Sequence, residues 1–182
     1  MKDDDPIAIK ILRAQPGHES ILANYFAVNE EHLRLWSPLV PLEHHSIAAW
    51  RQRLYDREES YQKGHSVHFI GTDPSESFMI GSCSLTNIVL GVSRAANIGY
   101  SVAHRYEGRG YMRCIVVHAI DYAFNTLKLH RLCASYMPAN VRSDRLLQRL
   151  GFEKEGYAKQ YLYINGHWED HVLNALINPR EV

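Results

Sequence analysis

Apolar positions along the chain follow two alternating rhythms: a two-residue alternation that predicts strands, and a three-and-four spacing that predicts helices. PIAIKILR (6–13) alternates, and Pro16-Gly17 closes it. From Glu19 to about Leu35 the pattern turns helical, with Ile21, Leu22, Tyr25, Phe26 and Val28 on one broad face. Pro38 and Pro41 in SPLVP (37–41) stop it, because proline has no amide hydrogen to donate. Ser46 predicts the N-cap of a second helix running to about Gln62, with Gly64 beyond its end. HSVHFIGT (65–72) and FMIGSCSLTNI (78–88) predict strands joined by the turn DPSES (73–77), and NIGYSVA (97–103) predicts a third. The clearest helix runs from Tyr111 to Lys128, where Met112, Ile115, Val116, Ala119, Ile120, Ala123, Phe124 and Leu127 form one stripe. RLCASYM (131–137) predicts a strand, and RSDRLLQRL (142–150) a short helix closed by Gly151. YAKQYLYI (157–164) and HWEDHVLNALI (167–177) flank Asn165-Gly166, a strong hairpin signal.

The predicted order is strand, two helices, three strands, helix, strand, helix and a final hairpin. Antiparallel hairpins with one strand–helix–strand crossover imply a mixed sheet in a layered α/β domain. With 182 residues and no internal repeat or linker, residues 1–182 are expected to form a single domain.

Composition narrows the function classes. Lys+Arg and Asp+Glu number 20 each, so the formal net charge is +0 and no basic excess draws the chain to nucleic acid. No apolar run reaches the length of a membrane span, and MKDDDPIAIK lacks a signal-peptide core. Cys83, Cys114 and Cys133 have no metal spacing and are expected as free thiols in a reducing cytoplasm. Among 11 histidines there is no HExxH and no Cys/His cluster, so no metal site is expected.

HRYEGRGYM (104–112) interrupts the chain between a predicted strand and the clearest helix. Orphan amides and the positive end of the helix dipole converge at such a junction, and Gly108 and Gly110 let a ligand approach the backbone. An anion cradle and a plain turn needing positive φ are both consistent with the pattern. Two phosphate motifs are excluded. There is no GxxxxGK[ST], and a dinucleotide fingerprint would need a glycine where Arg113 stands and an acid near Met137 and Pro138.

RYEGRG (105–110) resembles the Q/R-x-x-G-x-G/A motif of the GNAT acetyltransferases, and NVRSDRLLQRLGF (140–152) resembles a later segment of the same family. SLTNIVLG (84–91), IGYSV (98–102), HRLCASYMPAN (130–140) and EKEGYAKQYLYINGHWEDHVLNAL (153–176) are similar to the RimJ/RimL branch, ribosomal-protein N-terminal acetyltransferases, on its RimJ side. The resemblance covers most of the chain. It implies a GNAT fold: a mixed, mostly antiparallel sheet of about seven strands, about four flanking helices and splayed central strands. It also implies direct transfer of acetyl from acetyl-CoA to an amine, above all the N-terminal α-amine of an alanine-starting ribosomal protein. Two other readings stay open, a small-amine acetyltransferase and a non-catalytic CoA-binding module that docks on ribosomal particles. Neither nucleic-acid specificity nor a membrane is implied as a partner.

The resemblance places the pyrophosphate on backbone around Arg105, Gly108, Arg109, Gly110, Tyr111 and Met112, and the thioester carbonyl near the Val102 amide. Asn140 would contact the cofactor and also suits an N-cap. Ser143 matches the serine that assists the leaving thiolate, its alternative being a first-turn backbone bond. The general base departs from the pattern, since Leu162 stands where RimL-type enzymes carry a glutamate. Glu30, Glu31, His104, Glu107 and Asp170 remain as candidates. Trp36, within HLRLW (32–36), and Tyr163 are expected to line the acceptor site, with Tyr161 and Trp168 nearby.

Overall fold

The computed structural model describes residues 8–179. Its strands are β1 (Lys10–Arg13), β2 (Val67–Thr72), β3 (Met79–Val89), β4 (Ala95–Val102), β5 (Arg131–Tyr136), β6 (Glu153–Ile164) and β7 (His167–Ile177). Its α-helices are α1 (Glu19–Val28), α2 (Glu30–Arg34), α3 (Ile47–Gln62), α4 (Tyr111–Asp121) and α5 (Val141–Arg149). The strands form one sheet in the order β1-β2-β3-β4-β5-β7-β6. Among the described residues only β4 and β5 run parallel, and α4 makes the crossover between them. The mixed, mostly antiparallel seven-stranded sheet is therefore as expected. The first strand starts at Lys10, and the Pro6 and Ile7 part of its expected span lies outside the described residues.

The described residues form five α-helices where about four were expected. The expected 19–35 helix breaks at Asn29, which is 8% exposed. Its Nδ2 donates to the Tyr25 carbonyl at 2.8 Å, and its Oδ1 accepts from the His104 amide at 3.0 Å. A buried amide satisfied on both sides holds the chain in a bent conformation that the apolar pattern could not reveal. The expected 111–128 helix also changes character. After Asp121 it widens into a π turn at Tyr122–Thr126, and Leu127 donates to the Tyr122 carbonyl at 3.0 Å.

Where the caps were legible, local chemistry prevailed. The Ser46 hydroxyl accepts from the Ala49 amide at 3.2 Å, and Asn140 Oδ1 accepts from the Ser143 amide at 3.1 Å. Asn165 and Gly166 adopt φ of 46° and 83°, as a two-residue hairpin turn requires.

Each sheet face carries a core. On one face Ile115, Val116, Ala119 and Ala123 of the α4 stripe pack with Phe69, Leu85, Ile98, Leu132 and Leu147. On the other, Leu22, Tyr25, Trp50 and Leu54 pack on Ile70 and Ile80. Helix α4 lies so close that a Cβ on Gly81 would meet the Ser101 carbonyl at 2.7 Å and Ile115 Cδ1 at 3.2 Å. The site-bearing end of α4 is thus fixed relative to β3 and β4.

The sheet opens at its centre. The β4–β5 ladder runs only from Ala95↔Arg131 to Asn97↔Cys133. β4 stays paired with β3 up to Gly81↔Val102, and β5 stays paired with β7 up to Tyr136↔Val172. Ile98–Val102 and Ala134–Tyr136 therefore diverge as two edges of one sheet, which is the expected splay.

Asn29 gives a direct test of the helix break. Asn29→Ala removes both bonds and leaves the His104 amide unsatisfied, a loss of about 1–3 kcal/mol. Urea unfolding should show a lower midpoint with an unchanged slope.

Candidate active site

The parted strands, the start of α4 and the start of α5 meet at one end of the sheet. Gly108 and Gly110 have φ of 71° and 84°, a region that disfavours other residues. A Cβ on either would meet no atom within 4 Å. The loop is thus both conformationally glycine-dependent and open on its outer side. Gly110 is the N-cap of α4 and has no side chain of its own with which to cap the first amides of the helix. The arrangement suits a pyrophosphate.

The other members of the loop divide by role. Tyr111 is buried and packs edge-on to Tyr106 at 5.7 Å, while Met112 joins the α4 core. Both can offer only backbone to a ligand. Arg105 is folded back over the rings of Phe78 and Tyr106, at 5.0 and 4.5 Å, and bonds the Tyr106 hydroxyl. Its guanidinium is therefore not aimed at the loop mouth, contrary to a simple charge-donor role. Arg109 is exposed beside the glycines.

Ser143, in the first turn of α5, faces the gap. Its hydroxyl lies 2.6 Å from the Tyr100 hydroxyl on β4, across the parted ladder. Burial, against the bond to Ser143, pushes the Tyr100 phenol up to about 12. Tyr100 therefore stays protonated near neutral pH and can donate to Ser143, which frees the serine proton for a second acceptor. Sequence reasoning missed Tyr100, since a tyrosine in an alternating strand carries no signal of its own. Asn140 holds the Ser143 amide, so its capping role is realised.

Among the expected proton acceptors, Asp170 is engaged elsewhere. Asp170 accepts from the Gln160 amide at 2.8 Å and from the Tyr157 hydroxyl at 2.7 Å. These bonds hold its carboxyl below its ordinary value and fasten the β6 bulge, where Gln160 has φ of 47°. Glu30 and Glu31 are exposed on α2. Glu107 lies 2.7 Å from Arg142, 3.3 Å from His32 and 3.5 Å from His104.

His32 is the second residue that sequence reasoning missed. Its ring contacts the Val102 backbone, and burial lowers its pKa despite the opposing pull of Glu107. A neutral imidazole thus stands where β4 ends. The reactive nitrogens and oxygens of His32, His104 and Glu107 lie within 4.8 Å of one another. The Arg142 guanidinium at Glu107 already supplies positive charge there, so the group is built as an ion-pair cluster.

Aromatic residues gather on the remaining side. The hairpin tip docks on the segment after α2, with the Asn165 amide donating to the Ser37 carbonyl at 3.0 Å. That contact brings Tyr163 and half-buried Trp36 to the same region. Tyr163 is exposed and meets Trp168 edge-on at 5.5 Å, while Tyr161 lies against His171 at 5.6 Å.

Residues 11–153 match the model of the acetyltransferase (GNAT) domain. The chain is 43% identical over 158 residues to the [ribosomal protein uS5]-alanine N-acetyltransferase of Escherichia coli, covering 87% of this chain and 81% of that one. The structure of a ribosomal-protein-S5-alanine acetyltransferase from Vibrio fischeri superposes with a TM-score of 0.91 at 37% identity, covering 96% of both chains. Mycobacterium smegmatis RimJ in complex with a CoA-disulfide gives a TM-score of 0.87 at 25% identity, covering 96% of this chain and 83% of that one.

The loop makes its own prediction. Gly110→Val adds branched carbon to the open side and strains a left-handed position. The domain should stay folded by circular dichroism, while calorimetric titration with CoA shows affinity falling by at least about tenfold, or ~1.4 kcal/mol. Unchanged affinity in the folded variant would make the loop a plain turn.

Proposed function

The chain belongs to the GNAT acetyltransferase family, and on that premise we propose that it transfers acetyl from acetyl-CoA to the N-terminal α-amine of a protein. The acceptor in this reading is an alanine-starting ribosomal protein, and residues 1–182 act as one catalytic domain. The alanine N-acetyltransferases of E. coli and V. fischeri support the acceptor, and the CoA-disulfide complex of M. smegmatis RimJ supports the co-substrate. A cytoplasmic setting fits three unpaired cysteines. No helix among the described residues is long and apolar enough to cross a membrane.

The observation that carries the reading is the Tyr100–Ser143 pair across the parted ladder, beside the glycine loop. With pyrophosphate on the Gly108–Met112 backbone, the pantetheine arm has an extended route between Ile98–Val102 and Ala134–Tyr136. Backbone groups on those edges have lost their strand partners and suit an extended ligand. The thioester carbonyl then comes to the Val102 amide, which stabilises negative charge on oxygen as the amine attacks.

Proton movements follow from the same residues. The α-ammonium first loses a proton to water, with the neutral His32 imidazole as the candidate acceptor. The amine nitrogen forms the new bond to the acetyl carbon, the carbon–sulfur bond breaks, and the electron pair leaves on sulfur. Ser143, its oxygen already bonded by Tyr100, directs its proton at the thiolate. The proton shed by the acylated nitrogen completes the thiol. No carboxylate base is required, because an α-amine has a pKa of about 7.7–8.0 and is partly neutral at working pH. Trp36 and Tyr163 bound the acceptor end, where a small first residue fits and a bulky one clashes.

The relay predicts a graded pair of variants. Ser143→Ala should lower kcat by roughly 10–1,000-fold, and Tyr100→Phe by about tenfold, with CoA affinity unchanged in both. Stopped assays at saturating acetyl-CoA and calorimetric titration separate the two quantities.

The acceptor assignment is tested with two peptides, one with a free N-terminal alanine and one N-terminally blocked with a free lysine. Assays from about pH 6.5 to about 9.5 should favour the alanine peptide at neutral pH. The lysine peptide should gain ground only as its amine deprotonates. Faster acetylation of the blocked peptide near pH 7.5 would overturn the acceptor and return the small-amine reading.

A further inference from the structure

Between α1, α3 and the sheet lies a cavity of about 180 Å³, whose wall shares Gly99 and Tyr100 of β4 with the chemistry above and whose other residues that chemistry does not use. Phe26 of α1, Arg57 of α3, His68 of β2, Ser82 and Ser84 of β3, and Gly99 of β4 contribute to its wall. Arg57 is largely enclosed and makes no hydrogen bond or ion pair with any described residue. Its one aromatic contact is the Trp50 ring, 5.1 Å away. The adjacent Arg53 has the same sign and is occupied, stacking on Trp50 at 3.6 Å and bonding His44. Glu58, next in sequence, is turned to Arg13 and Gln62.

We propose that this cavity is a carboxylate subsite, in which Arg57 receives an acidic side chain from the third or fourth residue of the acceptor polypeptide. The inference rests on the N-terminal acetylation proposed above. An enclosed guanidinium without an anion is costly, and a carboxylate matches its planar fork with two parallel bonds. The rest of the wall suits the same ligand. Ser82 and His68 carry donors, the Ser84 hydroxyl donates to the Gly99 carbonyl at 3.5 Å, and no acidic side chain lines the space. Burial and the neighbouring Arg57 hold His68 down at about 3, so it adds an N–H without adding repulsion between two cations. Burial and Arg53 lower Arg57 to about 10, which still leaves it charged near neutral pH.

Size and placement agree. At about 180 Å³ the cavity is smaller than sites for drug-sized ligands, which run from roughly 300 Å³ upward, and it has room for one side-chain carboxylate. Gly99 lies three residues before Val102 on β4, or about 10 Å along a strand. An extended acceptor advances by the same ~3.3 Å per residue, so the fourth residue lies about 10 Å from the first, and the third lies about 7 Å away with its side-chain length to cover the rest. Hydroxyls link the two places: Tyr25 to Ser101 at 2.9 Å, and Ser101 to Ser82 at 3.0 Å. A cationic wall here also opposes a polyamine acceptor.

The test is a set of alanine-starting peptides with one glutamate moved from the second to the fifth position, each compared with its glutamine isostere. Glutamate at the third or fourth position should raise kcat/KM by about tenfold or more, mainly through KM. In Arg57→Met that preference should vanish while the glutamine peptides keep their wild-type rates. Arg57→Lys, which keeps the charge but not the fork, should retain part of the preference and serves if the methionine variant does not fold. Calorimetric titration of the same peptides into CoA-loaded protein reads the subsite without turnover, so failure of α-amine acetylation is distinguishable from failure of the subsite. No glutamate preference at any position, or one that survives Arg57→Met, would overturn the proposal. Saturable binding of sodium acetate without any glutamate preference would overturn it too, since the cavity would then be a free-anion site.

Discussion

The parting of β4 from β5 is the constraint on which the rest of the structure depends. Two parallel strands adjacent in a sheet would ordinarily pair along their whole length, and these stop at Asn97↔Cys133. Each is held elsewhere, β4 by β3 as far as Val102 and β5 by β7 as far as Tyr136. Sheet twist accumulates between the two halves, and the ladder gives way at its only parallel junction, where pairing is slightly weaker per residue. The gap that results exposes backbone polar groups inside an otherwise closed sheet. The proposed catalytic features are arranged around that gap.

Helix α4 delivers the second feature, the ring of backbone amides at its start. Its apolar stripe decides where those amides stand. Ile115 settles close over Gly81, so the helix cannot slide without a clash, and the loop before it inherits that position. Gly108 and Gly110 then turn the chain through a left-handed stretch and leave its outer side clear. In the proposed reading, the attraction of this loop for a pyrophosphate comes from backbone placed by core packing, and the Arg105 guanidinium adds little to it. Arg105 makes the point, since its guanidinium lies on the Phe78 and Tyr106 rings.

Acids and bases in the site are arranged by burial and pairing more than by residue type. Glu107 has the right chemistry for a base but is surrounded by Arg142, His32 and His104. Asp170 spends its lone pairs on the bulge of β6. Tyr100, an ordinary strand tyrosine by pattern, stays protonated because burial raises its phenol, and it shares a hydrogen bond with Ser143 that either hydroxyl can donate. Arg57 shows the converse, a cation enclosed without an acid, which turns a packing gap into a place with a chemical preference.

Local spacing alone determined the order of the strands and of the longer helices, the α4 stripe, the caps at Ser46 and Asn140, the Asn165-Gly166 turn and the glycine loop. Each depends on residues within a few positions of one another, where helix and strand periodicity and turn chemistry act directly. The likeness to GNAT sequences added the splay and the roles proposed for Val102, Asn140 and Ser143, none of which periodicity could supply. Tertiary structure decided what joins distant parts of the chain. Asn29 breaks a helix because the His104 amide, 75 residues away, needs its oxygen. Tyr100 meets Ser143 across 43 residues of sequence, and only the crossover through α4 brings them together. Arg57 is left without an acid because the fold turns Glu58 toward Arg13. A side chain's partner, and therefore its proton and its charge, is a property of the packed molecule, which no short stretch of sequence contains.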